Sequence, residues 1–323
     1  MKKILCVLMS CLLFVMAGCS GHSKNLKFGA ADIGGVYYSF ASTFTQLADK
    51  EIDGYTFETK TTAGSVANLR LISDGYIDLA IVQADLLSDA YNATGTFADK
   101  KYQKGYKAVA SLYTECCQIV VRKDSGITGI DDLINKTVSV GASESGTEKN
   151  AEQILKMSGI TDELINKVNM DYTEAAEKLK AGEIDAFFCT AGTATTVISE
   201  LAKQCDIELL SLDDESIKKL ESAYKSYNIY TIPAGTYNGQ KQDVKTVAVK
   251  ALLLASDKLS DKTVKDITKI LFDKKEEIQL ALPVDISLDE KTAVEGISIP
   301  FHKGAAEYYK ECGIDVKTEK GNN

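Results

Sequence analysis

One feature constrains this chain more than any other, a repeated passage from a short β-branched run, through a turn of small residues, into a helical pattern. The clearest case is Val138-Ser139-Val140-Gly141-Ala142-Ser143-Glu144-Ser145-Gly146-Thr147-Glu148, followed by Asn150, Ala151, Ile154, Leu155 and Met157 at helical spacing. Ser145 or Thr147 can cap that helix, and Glu148 supplies an acidic first turn. The same step recurs at Gly34-Gly35, at Gly64-Ser65 and at Thr190-Ala191-Gly192-Thr193. Alternation of this kind predicts an α/β protein with a mostly parallel sheet and ligands at the carboxyl ends of its strands. The free N–H groups of a helix start, at the positive end of the helix dipole, favour an anion there.

Taken in order, strand patterns fall at 26–31, 55–61 and 77–82, with helices beginning at Val36 and Ser65 between them. Residues 92–107 read as a surface excursion. Strand patterns resume at 108–112 and 118–122. A second βα series follows, with strands at 137–140, 168–170, 184–189 and 207–210 and helices at 174–180 and 193–203. Residues 247–255 are strand-like, and helical patterns close the chain at 261–272, 274–282, 288–295 and 303–312.

The two series echo each other. Ile72-Ser73-Asp74-Gly75-Tyr76-Ile77-Asp78 matches Leu179-Lys180-Ala181-Gly182-Glu183-Ile184-Asp185 as apolar-x-x-Gly-x-Ile-Asp. Each copy ends a helix at Gly, as a C-terminal cap does, and enters an apolar strand. The expectation is two similar α/β lobes. The closing helices pack back on the first, so the chain crosses between lobes near 113–117 and again near 230–235. Paired crossings are the usual hinge for closure around a ligand. This gives lobe 1 as 26–112 with 235–323, and lobe 2 as 113–234.

Chemistry-bearing motifs are scarce. There is no G-x-x-x-x-G-K-[ST] loop and no H-E-x-x-H, and His22 and His302 with dispersed cysteines make no local metal cluster. No cofactor or metal is expected. Gly141-Ala142-Ser143-Glu144-Ser145 resembles a nucleophile elbow, but Ser145 replaces its second Gly. A hydrolase would need His302, which reads better as a structural turn residue after Ile299-Pro300-Phe301.

The N-terminus carries Lys2 and Lys3, then an apolar run at 4–15 too short to span a bilayer, then Ala17 and Gly18 before Cys19. It resembles a bacterial lipoprotein signal (1–18), with Met16 where Leu is usual. Cleavage leaves Cys19 to carry the lipid and 19–25 as a tether. Loss of the two lysines takes the net charge from −9 to −11, which argues against nucleic acid or an anionic membrane surface as a partner. Cys116, Cys117, Cys189, Cys205 and Cys312 would remain, an odd number expected mainly as buried free thiols, with one disulfide still possible.

What survives is a set of helix starts without nucleophiles, two in each lobe. Their N–H donors, hydroxyls and tyrosine rings suit a small carboxylate. Only Arg70 and Arg122 could clamp it bidentately; otherwise the helix ends carry recognition.

Several segments together resemble the TAXI-type solute-binding subunits of tripartite ATP-independent (TRAP) transporters. They include Gly34-Gly35-Val36-Tyr37-Tyr38, Thr62-Ala63-Gly64-Ser65-Val66-Ala67-Asn68-Leu69-Arg70, Asp78-Leu79-Ala80-Ile81-Val82-Gln83 and Arg122-Lys123-Asp124-Ser125-Gly126. Ser145-Gly146-Thr147-Glu148, Asp185-Ala186-Phe187-Phe188, Thr231-Ile232-Pro233-Ala234-Gly235-Thr236-Tyr237 and Ile299-Pro300-Phe301-His302-Lys303-Gly304-Ala305-Ala306 complete the series. The resemblance implies a two-lobed periplasmic-binding-protein (type II-like) fold that closes on its solute. It further implies delivery to integral-membrane permease subunits driven by an ion gradient. Solutes of such proteins include glutamate-like amino acids and dicarboxylates. Ser39-Phe40 after Tyr38, and the lack of Pro after Gly192-Thr193, depart from the usual pattern.

On this reading Gly35, Tyr37, Tyr38, Ser65, Asn68 and Gln83 bind from lobe 1. Ser145, Gly146, Thr147, Gly192 and Thr193 close from lobe 2, with Tyr237 near the hinge. The expected protein is no enzyme, and is anchored outside the cytoplasm through Cys19. The alternatives are a ligand-binding receptor feeding a signalling partner, and a small-molecule hydrolase.

Overall fold

Strand β1 (Lys24–Gly29) begins the computed structural model, which describes residues 24–319 except Lys100, Asp285 and Ser287. The expected signal segment and Cys19 lie outside the described residues; Lys24 and Asn25, expected in the tether, start β1. Helix α1 (Val36–Glu51) follows and buries Val36, Tyr37, Phe40, Ala41, Phe44, Leu47 and Ala48, a stripe at three- and four-residue spacing. Strand β2 (Tyr55–Lys60), helix α2 (Ser65–Ser73) and strand β3 (Leu79–Gln83) complete a βαβαβ unit. β1 lies between β2 and β3, parallel to both. Helix α3 (Ala84–Asn92) runs on directly from β3.

Strand β4 (Tyr106–Arg122) is one continuous 17-residue strand where the sequence predicts two. Beyond it, β5 (Thr137–Ser139), α4 (Gly146–Met157), β6 (Asn166–Val168), α5 (Tyr172–Ala181) and β7 (Ala186–Ala191) repeat the first unit. β5 again lies between its two parallel neighbours. The echoed heptads occupy equivalent places. Gly75 and Gly182 turn the chain at φ +79° and +75°. Asp78 exchanges two hydrogen bonds with Lys27 of β1, and Asp185 does the same with Thr137 of β5.

Helix α6 (Thr196–Gln204), strand β8 (Ile207–Leu209), helix α7 (Asp214–Ala223) and strand β9 (Asn228–Ile232) lead to the long strand β10 (Val244–Ser256). Helices α8 (Asp261–Asp273), α9 (Lys275–Ala281) and α10 (Lys303–Glu311) close the chain. The helix expected at 288–295 is only a 3-10 turn, Thr292–Val294.

The strand order is β2-β1-β3-β10-β4-β7-β5-β6, with β8 on β4 and β9 on β10. β4 and β10 are antiparallel and pass together between the lobes, with Thr114 opposite Lys250. Val247 and Val249 pack in the second lobe's core with Val138 and Phe188, whereas Ala251–Ala255 pack in the first with Phe28 and Tyr309. The first passage runs through Thr114. The second falls at Lys250, not at 230–235. The cause is the hairpin of β9 and β10, which keeps residues 233–243 on lobe 2. There Tyr237 Oη donates to Gln118 Oε1 and Asn238 Nδ2 to the Ala202 carbonyl.

Candidate functional site

Three helix starts meet between the lobes. α1 begins after Gly35, α2 after Gly64 and α4 after Ser145. Gly64 has φ +121°, a conformation that disfavours any side chain, and a Cβ there would lie 3.4 Å from the Ser145 Cα. So the positive ends of α2 and α4 face each other at close range. No side chain caps α1 or α2, and neither has an acid in its first turn. α4 is capped by Ser145 Oγ, which accepts from the Glu148 N–H at 3.0 Å.

These starts border a cavity of about 340 Å³. From lobe 1 come Asp32, Gly35, Tyr37, Gly64, Ser65 and Gln83; from lobe 2 come Ser145, Gly146, Thr147, Asp171, Tyr172 and Thr190. Glu115 reaches it from β4, beside the hinge residue Thr114. Ser65 Oγ accepts from the Gln83 N–H at 3.1 Å, fixing the end of β3 against α2. Thr147 Oγ1 and Tyr172 Oη are 2.6 Å apart, and Tyr172 Oη donates to the Thr190 carbonyl at 2.9 Å.

The electrostatics of the wall are one-sided. Among the described residues its carboxyl groups are Asp32, Glu115 and Asp171, with no Lys, Arg or His. Glu115 is 2% exposed, and burial pushes its carboxyl up to about 8, although the Tyr37 hydroxyl donates to Oε2 at 2.7 Å. Burial and the facing Asp171 raise Asp32, whose Oδ2 has no partner among the described residues. Gln83 Oε1 is likewise buried without one. No His, Cys, Asp or Glu cluster among the described residues could hold a metal ion.

The lobes also touch directly at the cleft edge. Arg70 on α2 pairs with Glu144 at 2.7 Å, and the Ala67 N–H donates to the Glu144 carbonyl at 3.2 Å. Deeper, Asn150 Nδ2 on α4 donates to Asp85 Oδ2 on α3 at 3.0 Å and to Tyr227 Oη at 2.8 Å. Burial raises the Asp85 carboxyl to about 6.

Of the residues expected to bind, Gly35, Tyr37, Ser65, Gln83, Ser145, Gly146 and Thr147 line this cavity. Five do not. Asn68 is fully buried behind the cleft, its Nδ2 donating to the carbonyls of Gly29, Ala30 and Ile81 and its Oδ1 accepting from Thr62. Tyr38 packs half-buried on the first lobe's core. Gly192 and Thr193 border a separate cavity with Tyr230 and Lys250. Tyr237 is locked inside lobe 2, between Gln118 and the Thr195 N–H. Arg70 and Arg122 do not reach the cavity either; Arg122 pairs with Asp124 and the Leu179 carbonyl. His302 caps α10 through Nδ1, away from Ser145, as a structural turn residue would. The five cysteines among the described residues are free thiols, with Cys116, Cys117 and Cys189 buried.

Sequence reasoning missed Asp32, Glu115, Asp171 and Tyr172. Asp32 and Asp171 each stand just before a helix, where acids are commonplace caps. Glu115 could have been found as the one charge in the apolar stretch 108–121.

Two α/β lobes of the same strand order, joined by two crossing strands around a solute-sized cleft, define a periplasmic-binding-protein fold of type II. PhnD1 from Prochlorococcus marinus, solved in complex with methylphosphonate, superposes at a TM-score of 0.56, with 14% identity over 90% of this chain and 99% of that one. XAC2383 from Xanthomonas citri, bound to ATP, gives 0.52 at 10% identity over 84% and 93%. A putative L-cystine ABC transporter protein from Listeria monocytogenes gives 0.50 at 15% over 80% and 94%. Identities this low speak for fold alone. The chain belongs to the NMT1-like family, whose sequence profile matches residues 28–313.

Proposed function

We propose that this chain is an extracytoplasmic solute-binding protein that closes on a small carboxylate solute and delivers it to the integral-membrane permease of a TRAP-type, ion-gradient-driven transporter. A lipid on Cys19 holds it at the membrane. The observation that carries the reading is the meeting of three helix starts on one interlobe cavity, two of them without a capping side chain. Facing helix ends of like sign are relieved by an anion between them. A cavity of about 340 Å³ admits a glutamate-like amino acid or a small dicarboxylate. The TRAP assignment rests on the TAXI-like segments, several of which (Gly35 with Tyr37, Gly64 with Ser65, and Ser145 to Thr147) border the cavity.

A hydrolase finds no support in the geometry. Ser145 Oγ is engaged as a helix cap, and His302 sits in lobe 1 on the α10 cap.

The test is a thermal-shift screen of the mature protein against amino acids, dicarboxylates and neutral controls. A true solute at 100 times its Kd adds about 2.7 kcal/mol to native stability and raises Tm accordingly. Small-angle scattering with the hit should show compaction. A panel without a single carboxylate hit, or a hit without compaction, refutes the reading.

A further inference from the structure

The cavity wall carries the carboxyl groups of Asp32, Glu115 and Asp171, and among the described residues nothing basic lines it. A solute with only carboxylates would satisfy the helix starts and leave this half of the wall without a counter-charge. Two buried acceptors are also unmatched. Gln83, a wall residue 3% exposed, has no donor for its Oε1 among the described residues, and Oδ2 of the half-buried wall residue Asp32 also lacks one. The wall therefore lacks a group that carries positive charge and several N–H donors, which is the description of an ammonium.

We propose that Glu115 is the specificity-determining residue of the cleft. It requires an amino group on the solute, so that a zwitterion lies with its carboxylate toward the starts of α1, α2 and α4 and its ammonium toward Glu115. The inference rests on the carboxylate-solute reading above and narrows it from carboxylates in general to amino acids.

Glu115 suits this role by position. It is buried on β4 next to the hinge, and Tyr37 Oη at 2.7 Å fixes its carboxyl. The groups facing it are Tyr37 on α1, Gln83 on β3, Asp85 on α3, Tyr113, Cys116 and Cys117 on its own strand, Tyr172 on α5 and Cys189 on β7, none of them basic. Burial pushes the Glu115 carboxyl up to about 8 and so favours its protonated form at neutral pH. An arriving ammonium stabilises the carboxylate, and that proton leaves to solvent.

The experiment is calorimetry on the mature protein with matched pairs that differ only at Cα, namely glutamate with 2-oxoglutarate, alanine with pyruvate, and leucine with 2-oxoisocaproate. The expected result is that the amino member of the best pair binds at least about 100-fold tighter. Repeating the titration at pH 7 in two buffers of different ionisation enthalpy should show release of close to one proton, a readout that needs no variant. In Glu115→Gln, which conserves volume, the preference should shrink to about fivefold or less. An oxo acid binding as well as its amino partner overturns this proposal and leaves the carboxylate reading standing. Equal losses for both members in Glu115→Gln, or no proton release, also overturn it. Absence of binding by every member of the pairs overturns both.

Discussion

Tyr37 donates a 2.7 Å hydrogen bond to Glu115 across 78 residues of sequence, tying the first turn of α1 to the strand that crosses between the lobes. The next residue back, Thr114, faces Lys250 where both crossing strands pass. A solute group that engages Glu115 therefore acts one residue from the hinge.

Stability of the solute-free protein should fall as pH rises. Glu115 has a folded value near 8 against an ordinary 4.5, and Asp85 one near 6 against 3.8, both raised chiefly by burial. The folded state thus holds protons that the unfolded state gives up. Their stabilisation is complete below about pH 4, declines as pH rises, and is gone above about 8. Tm measured from pH 4 to 9 should show this decline. The difference between wild type and Glu115→Gln should develop mainly between pH 4.5 and 8, with the variant the more stable at pH 8.

Gly146→Ala should block closure without harming the lobe. Gly146 opens α4, where Ala is the better helix residue, but an added Cβ would lie 2.1 Å from Gln83 Oε1 across the cleft. Solute affinity should drop at least about tenfold with Tm of the free protein unchanged. Adding Gln83→Ala should restore part of the lost closure by scattering, a coupling that a double-mutant cycle reads directly.

Arg70→Met should loosen the closed form modestly. The Arg70–Glu144 pair joins the lobes, yet its side chains are 36% and 45% exposed, so it ranks with surface ion pairs of about 0–1 kcal/mol. A two- to fivefold loss of solute affinity is expected, smaller at high salt. A loss beyond tenfold would mean that Arg70 touches the solute.

Asn68→Ala should unfold rather than unbind. It removes donations to three carbonyls from a fully buried amide and one of the two acceptors of Thr62 Oγ1, which keeps the Ala30 carbonyl. A cost of about 2–4 kcal/mol follows, and denaturant titration should show it. The folded fraction should bind solute within a few-fold of wild type, because Asn68 is off the cavity wall.

The segments legible in the sequence are those whose cause is local. Gly75 and Gly182 end helices because the left-handed backbone there favours glycine, and their matching Ile-Asp continuations announced two lobes of one topology. Ser145 was readable as a cap for the same reason. Asn68 misled because an amide near a helix start looks the same whether it faces solute or three buried carbonyls. The second hinge lies elsewhere because β9 pairs with β10, which holds the 233–243 connection on lobe 2.

The sequence by itself determined the strand–turn–helix units, their glycine turns and the set of helix starts able to meet an anion, since each depends on residues within a turn or two. Tertiary structure decided which starts converge, and that an acid without a basic partner lies among them. Glu115 reads as an ordinary charge until the antiparallel pairing of β4 with β10 and β7 fixes its depth, and with it the field that a solute must satisfy.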